Sequence, residues 1–396
     1  MGGACYYPRM QNPDRPANVE RVSINVHADE QLLYFTSTSL LGDDRRLVVV
    51  SDCAGAPNLF LQDPASGTQA QLTDNRTGYL KSYVYFDGMP YEGLAKAGVS
   101  LHAESGTAYY IQGRTICSVD AAGCRRVLTE YPRGLMTAFT HVSTDGRRLV
   151  VPFTDARALE GDKPLAGKPP YDIDARVQAE GLCSYLKVYD TRTGGELLSE
   201  TVPRAWITHV QFSPIDPGLI LYNHEWPGDC GIRRMWLFDG RRHIRLRKEG
   251  PGISRHDWTC HEMWQRDGQF VVYHGTYEGG RAYVGRVRPD GSDRVEIPLP
   301  AGWSRYGHFT VGEGNLLVTD GYYVASPDDR AENCPWISVL NVDWPGRRIQ
   351  WRPLCRHDSI WADQDAHPHP IFNNACNAVY FTSDRTGHRA VYRTTL

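Results

Sequence analysis

A short turn-and-strand pattern recurs along the chain, and this repeat limits the folds open to it. Each copy begins with an acidic or glycine turn and continues into a run of β-branched or aromatic residues, as β-hairpins do. The clearest copies lie at 43–52, 144–151, 213–222 and 267–273. Weaker copies lie at 104–110, 312–318 and 373–380.

The spacing of the seven copies predicts a β-propeller. They begin roughly 40 to 70 residues apart, the length of four-stranded blades that carry loop insertions. The last copy has only three strands, over 371–392, and an extended stretch, 31–37, precedes the first hairpin. Strands from both chain ends would complete one blade and leave no free sheet edge. We therefore predict an all-β, seven-bladed β-propeller closed by strands from both chain ends, with residues 1–396 forming a single domain.

Two insertions interrupt the predicted repeat. The larger, near 155–182, is rich in glycine, proline and charge, and we expect it to cap one face of the propeller. A second insertion lies near 322–335. Neither has the character of a separate domain.

Composition excludes several classes of partner. A net charge of −3 provides no basic field, so nucleic acid is not expected as a partner. No apolar stretch reaches the ~20 residues needed to cross a bilayer, so no membrane association is expected. The ten cysteines include no Cys-x-x-Cys pair, and a secretory signal is not evident. These features predict a cytoplasmic protein with reduced cysteines.

The repeat places histidines at the start of the innermost strand in five blades. We expect these side chains to converge at one end of the central channel. They are His141, His209, His261, His308 and the pair His367 and His369. For His141 and His209 taken singly, hydrogen bonds to neighbouring loop carbonyls are the simpler explanation.

The densest group is Gln364-Asp365-Ala366-His367-Pro368-His369-Pro370. In an extended strand His367 and His369 would face the same side, and the prolines would stiffen that strand. With His308 and the side-chain oxygen of Gln364 they would form a nitrogen and oxygen site suited to Mn, Fe or Zn, with positions open to substrate. Cysteine ligands are missing, which argues against a closed structural zinc site.

The motif Gln-x-x-His-Pro-His at 364–369, followed by Phe-Thr-Ser-Asp-Arg at 381–385, resembles the oligogalacturonate lyases, seven-bladed propeller enzymes of polysaccharide lyase family 22. The stretches 33–38, 234–236 and 260–264 resemble that family too. The resemblance implies Mn²⁺ as cofactor, held by His308, Gln364, His367 and His369. It also implies His261 as the catalytic base and Arg234 as the ligand of the substrate carboxylate. Arg233 is an alternative for that role, and His209 is a further candidate substrate contact.

The implied reaction is β-elimination, which asks for these residue types. A base removes the proton on C5 of a uronate and the oxygen on C4 leaves, so the site must neutralise the carboxylate beside the developing charge. A metal ion and an arginine suit that task, and a neutral histidine suits the base. Glycoside hydrolysis would need two paired carboxylates, and no such pair stands out. Glu262 is expected to point to the opposite strand face from His261.

The predicted function is therefore metal-dependent cleavage of short oligogalacturonides in pectin catabolism, releasing unsaturated uronate. A propeller lyase for another uronate-containing oligosaccharide is one alternative. A non-catalytic binding propeller resembling TolB, which shares the Ser-Asp-Arg-x-Gly pattern at 383–387, is the other.

Overall fold

Seven antiparallel sheets form a ring, which confirms the predicted seven-bladed β-propeller. The computed structural model describes residues 18–82, 93–159, 173–299, 307–321, 336–360 and 364–396, without the side chains of residues 159 and 364. Within these ranges, no helix is both long and apolar enough to span a bilayer.

The first three blades each run outward from the channel in chain order. Blade 1 contains β2 (Glu30–Leu32), β3 (Leu47–Ser51), β4 (Asn58–Asp63) and β5 (Thr68–Gln71). Blade 2 contains β6 (Val99–His102), β7 (Thr107–Gln112), β8 (Thr115–Val119) and β9 (Arg125–Glu130). Blade 3 has an interrupted innermost strand, β10 (Leu135–Met136) and β11 (His141–Val142), followed by β12 (Arg148–Asp155), β13 (Cys183–Asp190) and β14 (Glu196–Pro203).

The remaining blades repeat this order. Blade 4 contains β15 (Val210–Phe212), β16 (Ile220–Asn223), β17 (Met235–Phe238) and β18 (His243–Arg245). Blade 5 contains β19 (Trp258–Trp264), β20 (Val271–Thr276), β21 (Ala282–Val287) and β22 (Val295–Pro298). Blade 6 contains β23 (Phe309–Val311), β24 (Leu316–Thr319), β25 (Trp336–Asp343) and β26 (Arg348–Arg356). Blade 7 contains β27 (Ile371–Phe372), β28 (Ala378–Ser383), β29 (Ala390–Thr395) and β1 (Glu20–Arg21).

The seven sequence repeats coincide with the turns between the first and second strands of the blades. The second strand of a blade is packed on both faces by neighbouring blades, so it reads as an unbroken apolar run. All five residues of β3 are buried, for example. Seven hydrophobic clusters of described residues fill the spaces between adjacent blades. Burial of these facing sheets is what holds the ring together.

The ring closes through both chain ends, as predicted. Strand β1 pairs with β29 and becomes the outermost strand of blade 7, with Glu20 opposite Arg393. The extended stretch at 31–37 has a different place, since it begins in β2, the innermost strand of blade 1. Closure removes the free edge of blade 7, where another chain could otherwise pair.

Two short α-helices accompany the sheets in the described part of the chain. Helix α1 (Ile173–Glu180) and a 3₁₀ turn (Ala156–Leu159) lie in the insertion predicted near 155–182. Ile173 and Val177 of α1 pack into the hydrophobic cluster that also contains Phe35 and Phe139, so this helix is anchored to the propeller core. Helix α2 (Cys230–Arg233) lies between β16 and β17. The insertion predicted near 322–335 falls outside the described residues.

A buried carboxylate lies at the closure. Glu30 is fully buried, its Oε1 accepts a hydrogen bond of 2.5 Å from Ser23 Oγ, and its Oε2 accepts one from Gln62 Nε2. Burial raises the pKa of Glu30 from 4.5 to about 7, although both hydrogen bonds and Arg21 oppose the rise. Because the folded pKa is the higher one, ionised Glu30 destabilises the fold above about pH 7, and this penalty disappears as the pH falls toward about 5.

Replacing Glu30 with glutamine is therefore expected to stabilise the protein at alkaline pH. The amide stays neutral, so the variant should exceed the unaltered protein in free energy of unfolding by up to about 3 kcal/mol at pH 8. The two proteins should be nearly equal near pH 5. Urea unfolding followed across this pH range measures the difference. Parallel pH profiles for the two proteins would contradict this assignment.

Candidate metal centre and active site

Histidines from four blades meet at one mouth of the central channel. They lie before or within the innermost strands of blades 4 to 7, and they are His209, His261, His308, His367 and His369. The ring of His308 lies centrally, with its centroid 4.0 Å from His369, 4.5 Å from His261 and 5.3 Å from His367. The buried ring of Phe35 lies 5.3 Å from both His261 and His308 and fills the channel beside them.

His141 lies apart from this cluster, so the expected convergence holds for four blades among the described residues and not for five. His141 is inside β11, opposite Val150, whereas His209 precedes β15. The equivalent turns begin at Ser143 and Ser213, so His141 lies two residues further along its blade than His209 does. The Nδ1 of His141 accepts a hydrogen bond of 3.2 Å from the Phe212 amide. A local hydrogen bond to the backbone therefore explains His141.

A loop, and not the predicted strand, brings His367 and His369 together. Strand β27 begins only at Ile371, and the preceding residues 364–366 form a 3₁₀ turn. His369 has a φ of 45°, in the left-handed region that non-glycine residues seldom adopt. The prediction of an extended strand through both histidines was wrong. A tight loop held between two prolines brings the rings to a centroid distance of 5.8 Å.

His308, His367 and His369 together have the geometry of a metal site. One nitrogen from each lies within 4.8 Å of the others, and all three residues are buried. The Nε2 of His369 is buried and has no hydrogen-bond partner among the described residues, a position that a metal ion would satisfy. The donor set therefore fits a divalent cation. The backbone of Gln364 lies in the 3₁₀ turn, while its side chain, the predicted fourth ligand, lies outside the described part of the chain.

Asp320, which the sequence analysis missed, orients the metal site. Its Oδ2 accepts a hydrogen bond of 3.0 Å from His308 Nδ1 and one of 3.1 Å from the His369 amide. With Nδ1 protonated, His308 keeps its Nε2 lone pair for a metal. Burial opposes ionisation, but His308 and its hydrogen bonds hold the pKa of Asp320 below the ordinary value. Burial, His308, Lys96 and His367 keep the pKa of His369 well below 6.5, so it is in the neutral form that binds metals.

His261 is the cluster histidine that reaches the solvent, since it is partly exposed while the others are buried. Its Nδ1 lies 2.8 Å from the Gly307 carbonyl and 2.7 Å from His274 Nε2. A carbonyl only accepts hydrogen bonds, so Nδ1 carries the proton and Nε2 holds the free lone pair. Burial, followed by His308, His274, His209 and Arg234, lowers the pKa of His261 well below 6.5. The imidazole is therefore neutral and able to accept a proton.

Glu262 faces blade 4, whereas His261 faces His308 and Gly307 at the start of blade 6. The register of β19 shifts between Cys260 and Met263, and His261 has a φ of 51°. This β-bulge lies at the two residues whose side chains diverge. The Oε1 of Glu262 lies 3.3 Å from His209 Nδ1, and its Oε2 accepts a hydrogen bond of 2.9 Å from Arg234 Nε.

Arg234 is fully buried and joins the histidine cluster through carboxylates. Besides Glu262 it contacts Glu225, at 3.4 Å from Nη1 to Oε1, and His209, at 3.4 Å from Nη2 to Nδ1. Burial opposes the charge, but Cys260, Glu262 and Glu225 keep the pKa of Arg234 well above its ordinary value. Arg234 likewise lowers the pKa of Glu262 to about 2 in spite of its burial. The site thus holds a permanent ion pair.

Arg233 points elsewhere. Its guanidinium donates two hydrogen bonds to Asp174 of α1, at 2.9 and 2.6 Å, and one to Asp229 at 2.5 Å. The structure thus brings Arg234, and not its neighbour Arg233, next to the histidines.

Two further basic residues escaped the sequence analysis. Lys96 is buried, with its Nζ 3.2 Å from His369 Nδ1. It lies in a 3₁₀ turn just before β6, the place that histidines take in other blades, so the repeat register could have revealed it. His274 lies in the second strand of blade 5, and no motif in the sequence marks it.

Sequence comparison relates the chain to a known family. A family model described as oligogalacturonate lyase matches residues 164–396, more than half of the chain. The oligogalacturonate lyase of Dickeya dadantii (strain 3937) is 28% identical over 227 residues, 53% of this chain and 55% of that protein. The oligogalacturonide lyase of Pectobacterium atrosepticum is 29% identical over 204 residues, 47% of this chain and 49% of that protein. The chain spans about half the length of the curated relatives it matches.

Solved structures share the fold over nearly the whole chain. One, an oligogalacturonate lyase in complex with manganese, is 24% identical, with a TM-score of 0.77 over 99% of this chain and 96% of that chain. An oligogalacturonate lyase from Vibrio parahaemolyticus is 23% identical, with a TM-score of 0.76 over 97% of this chain and 94% of that chain. These likenesses establish the shared propeller fold.

Proposed function

This chain belongs to the oligogalacturonate lyase family, and on that premise we propose that it cleaves short oligogalacturonides by β-elimination. One observation carries the proposal most strongly. A neutral, partly exposed His261 lies 4.5 Å, ring to ring, from His308, a member of the buried cluster of three histidines. A base beside a cation site is the arrangement that proton abstraction next to a carboxylate requires.

His261 is the proposed base. With Nδ1 held by the Gly307 carbonyl, its Nε2 lone pair is left to take the proton from C5 of the uronate. The electrons of the C5–H bond form the C4–C5 double bond, the C4–O bond to the next sugar breaks, and the oxygen leaves with that sugar and takes up a proton from water. One product carries an unsaturated uronate end. Base catalysis of this kind typically contributes ~10²–10⁴-fold in rate.

The proposed cofactor is Mn²⁺, since one of the solved oligogalacturonate lyases is a complex with manganese. His308, His367 and His369 would hold it, with Gln364 as the predicted fourth ligand. Bound there, the ion would act as a Lewis acid that neutralises the substrate carboxylate as charge develops at C5.

Arg234 is the proposed arginine of the reaction, in preference to Arg233. Its guanidinium is fixed beside His209 by Glu262 and Glu225, so it supplies positive charge without moving. Arg233 is paired with Asp174 and Asp229. His209 contacts both Arg234 and Glu262 and is the proposed polar contact to a sugar.

Hydrolysis is not supported by the two carboxylates that contact Arg234. Glycosidases need one protonated acid and one free carboxylate flanking the bond. Glu225 and Glu262 both bind Arg234, and the low pKa of Glu262 leaves it no proton to donate.

A direct assay tests the proposal. The purified protein is incubated with Mn²⁺ and digalacturonate, and the unsaturated and α-keto acid products are measured. The same incubation with chelator, and with oligomers of other uronates, supplies the controls. Product from galacturonate oligomers alone supports the proposal. Product only from another uronate would reassign the substrate, and neither product nor bound metal with any uronate would favour a non-catalytic binding propeller.

Pectin catabolism in the cytoplasm is the proposed setting of this activity. The preference for short oligomers rests on that setting, because polymers do not enter cells.

A further inference from the structure

A row of aromatic rings leads from the histidine cluster to the protein surface. The centroids of His261 and His274 lie 4.9 Å apart, those of His274 and Trp258 lie 5.5 Å apart, and those of Trp258 and Trp226 lie 6.2 Å apart. The last two rings are nearly parallel, at 27°. Trp226 is 45% exposed, the one exposed tryptophan of the described residues. A large indole surface therefore faces solvent at the mouth of the site.

The backbone holds Trp226 in an unusual conformation. Its φ is 45°, in the left-handed region where a bulky residue is an outlier. Strained residues of this kind persist where surrounding structure enforces them, often at ligand sites. Here the Glu225 amide donates to the Trp206 carbonyl at 2.7 Å, and the Gly228 amide donates to Asp174 Oδ2 at 3.0 Å. The loop that carries Trp226 is thus fixed on both sides while its indole stays exposed.

The same loop is tied to the reaction site. Glu225, the residue before Trp226, contacts Arg234 and accepts a hydrogen bond of 2.5 Å from Thr208 Oγ1. Trp258 begins β19, the strand that carries His261. Both indoles are therefore placed by elements that also place the reacting groups, so a sugar bound on them lies at a fixed position relative to the base.

An exposed arginine occurs close to Trp258 in the chain. Arg255, three residues before Trp258, has a side chain that is 60% exposed and lies 3.9 Å from Asp229. The turn that carries it packs on α2, where the Gly231 amide donates to the Arg255 carbonyl at 3.2 Å. A stacked indole pair beside an exposed cation suits a ring with one apolar face and one negative charge. A uronate has both, because its axial and equatorial C–H bonds form an apolar face and its C6 is a carboxylate.

We propose that Trp226 and Trp258 form a sugar subsite, on which the galacturonate residue next to the cleaved bond stacks, with Arg255 facing its carboxylate. This subsite rests on the proposed function and deepens it, since it assigns the residues that bind the second uronate ring. Aromatic rings bury a large apolar area with little loss of conformational freedom, which suits them to bind a sugar face.

The test is a kinetic comparison of Trp226 variants in the Mn²⁺-loaded protein. Trp226→Ala should raise KM for trigalacturonate about tenfold, which corresponds to about 1.4 kcal/mol, with a smaller change in kcat. Trp226→Phe keeps a stacking ring and should restore most of the lost affinity. Ile215→Ala is the control. Ile215 is an exposed apolar residue in the turn between β15 and β16, whereas His209 precedes β15, so the two residues lie at opposite ends of β15. This substitution should leave KM unchanged.

A binding measurement separates failure of the subsite from failure of the proposed function. Calorimetry with trigalacturonate on His261→Ala, with and without Trp226→Ala, reports affinity in the absence of turnover, and about tenfold weaker binding is expected when Trp226 is lost. If the unaltered enzyme cleaves trigalacturonate but Trp226→Ala matches it in KM and affinity, the subsite is refuted and the function stands. If the unaltered protein neither binds nor cleaves any uronate oligomer, both fail.

Discussion

Replacing His261 with alanine is expected to lower kcat for digalacturonate by at least ~10²–10⁴-fold, the usual contribution of a positioned base. The bound manganese should stay near one equivalent per chain. The reason is geometric, since His261 is partly exposed and its Nδ1 is engaged by Gly307 and His274, whereas the proposed ligands are three other histidines. Product formation and metal content, measured on the same preparation, check both parts.

His141 provides the matched control for this prediction. It is another histidine of an innermost strand, in β11 of blade 3, yet its Nδ1 accepts a hydrogen bond from the Phe212 amide and it lies outside the cluster. His141→Ala should therefore keep kcat near that of the unaltered protein. Near-normal turnover by His261→Ala would show that the base is another group.

Replacing His367 with alanine should remove the metal. Loss of one of three clustered imidazoles is expected to weaken Mn²⁺ binding more than the ~10–100-fold that follows loss of an outer hydrogen-bond partner. A readout independent of activity is available, because a bound ion stabilises the fold by about 2.7 kcal/mol when its concentration is 100 times Kd. Thermal unfolding with and without Mn²⁺ should show this gain for the unaltered protein and not for the variant.

Asp320→Asn gives a graded comparison for the same site. Asp320 contacts His308 and the His369 backbone without being one of the proposed ligands. Its replacement should weaken Mn²⁺ binding by ~10–100-fold, less than the loss of His367. Equal Mn²⁺ affinity of His367→Ala and the unaltered protein would place the metal elsewhere.

The propeller could be predicted because its signal is local and repeated. Strands buried on both faces, such as β3 and β12, must be apolar throughout, and the turns before them must contain acidic residues or glycine. These requirements produce the same residue pattern in each of the seven blades. The place of each histidine relative to its repeat also indicated which end of the channel it would approach.

The finer geometry of the site does not correspond to any repeated pattern in the sequence. A bulge in β19 gives His261 a left-handed backbone, and a left-handed residue bends the loop around His369. Both are irregularities that the period of a strand does not predict. Arg233 and Arg234 are adjacent and alike in sequence, and only the carboxylates around them, Asp174 on one side and Glu262 on the other, distinguish them.

The sequence by itself thus determined the ring of seven blades, its closure by both chain ends, and the group of histidines that the ring brings together. These features follow from periodic burial and from the register of the repeat, and both can be recognised in short stretches of consecutive residues. The tertiary structure alone decided the partners of each group: Asp320 on His308, Lys96 beside His369, Glu225 and Glu262 around Arg234, and the exposed Trp226 on Trp258. Such contacts join residues that are distant in the chain or rest on backbone irregularities, so they exist only once the blades have packed.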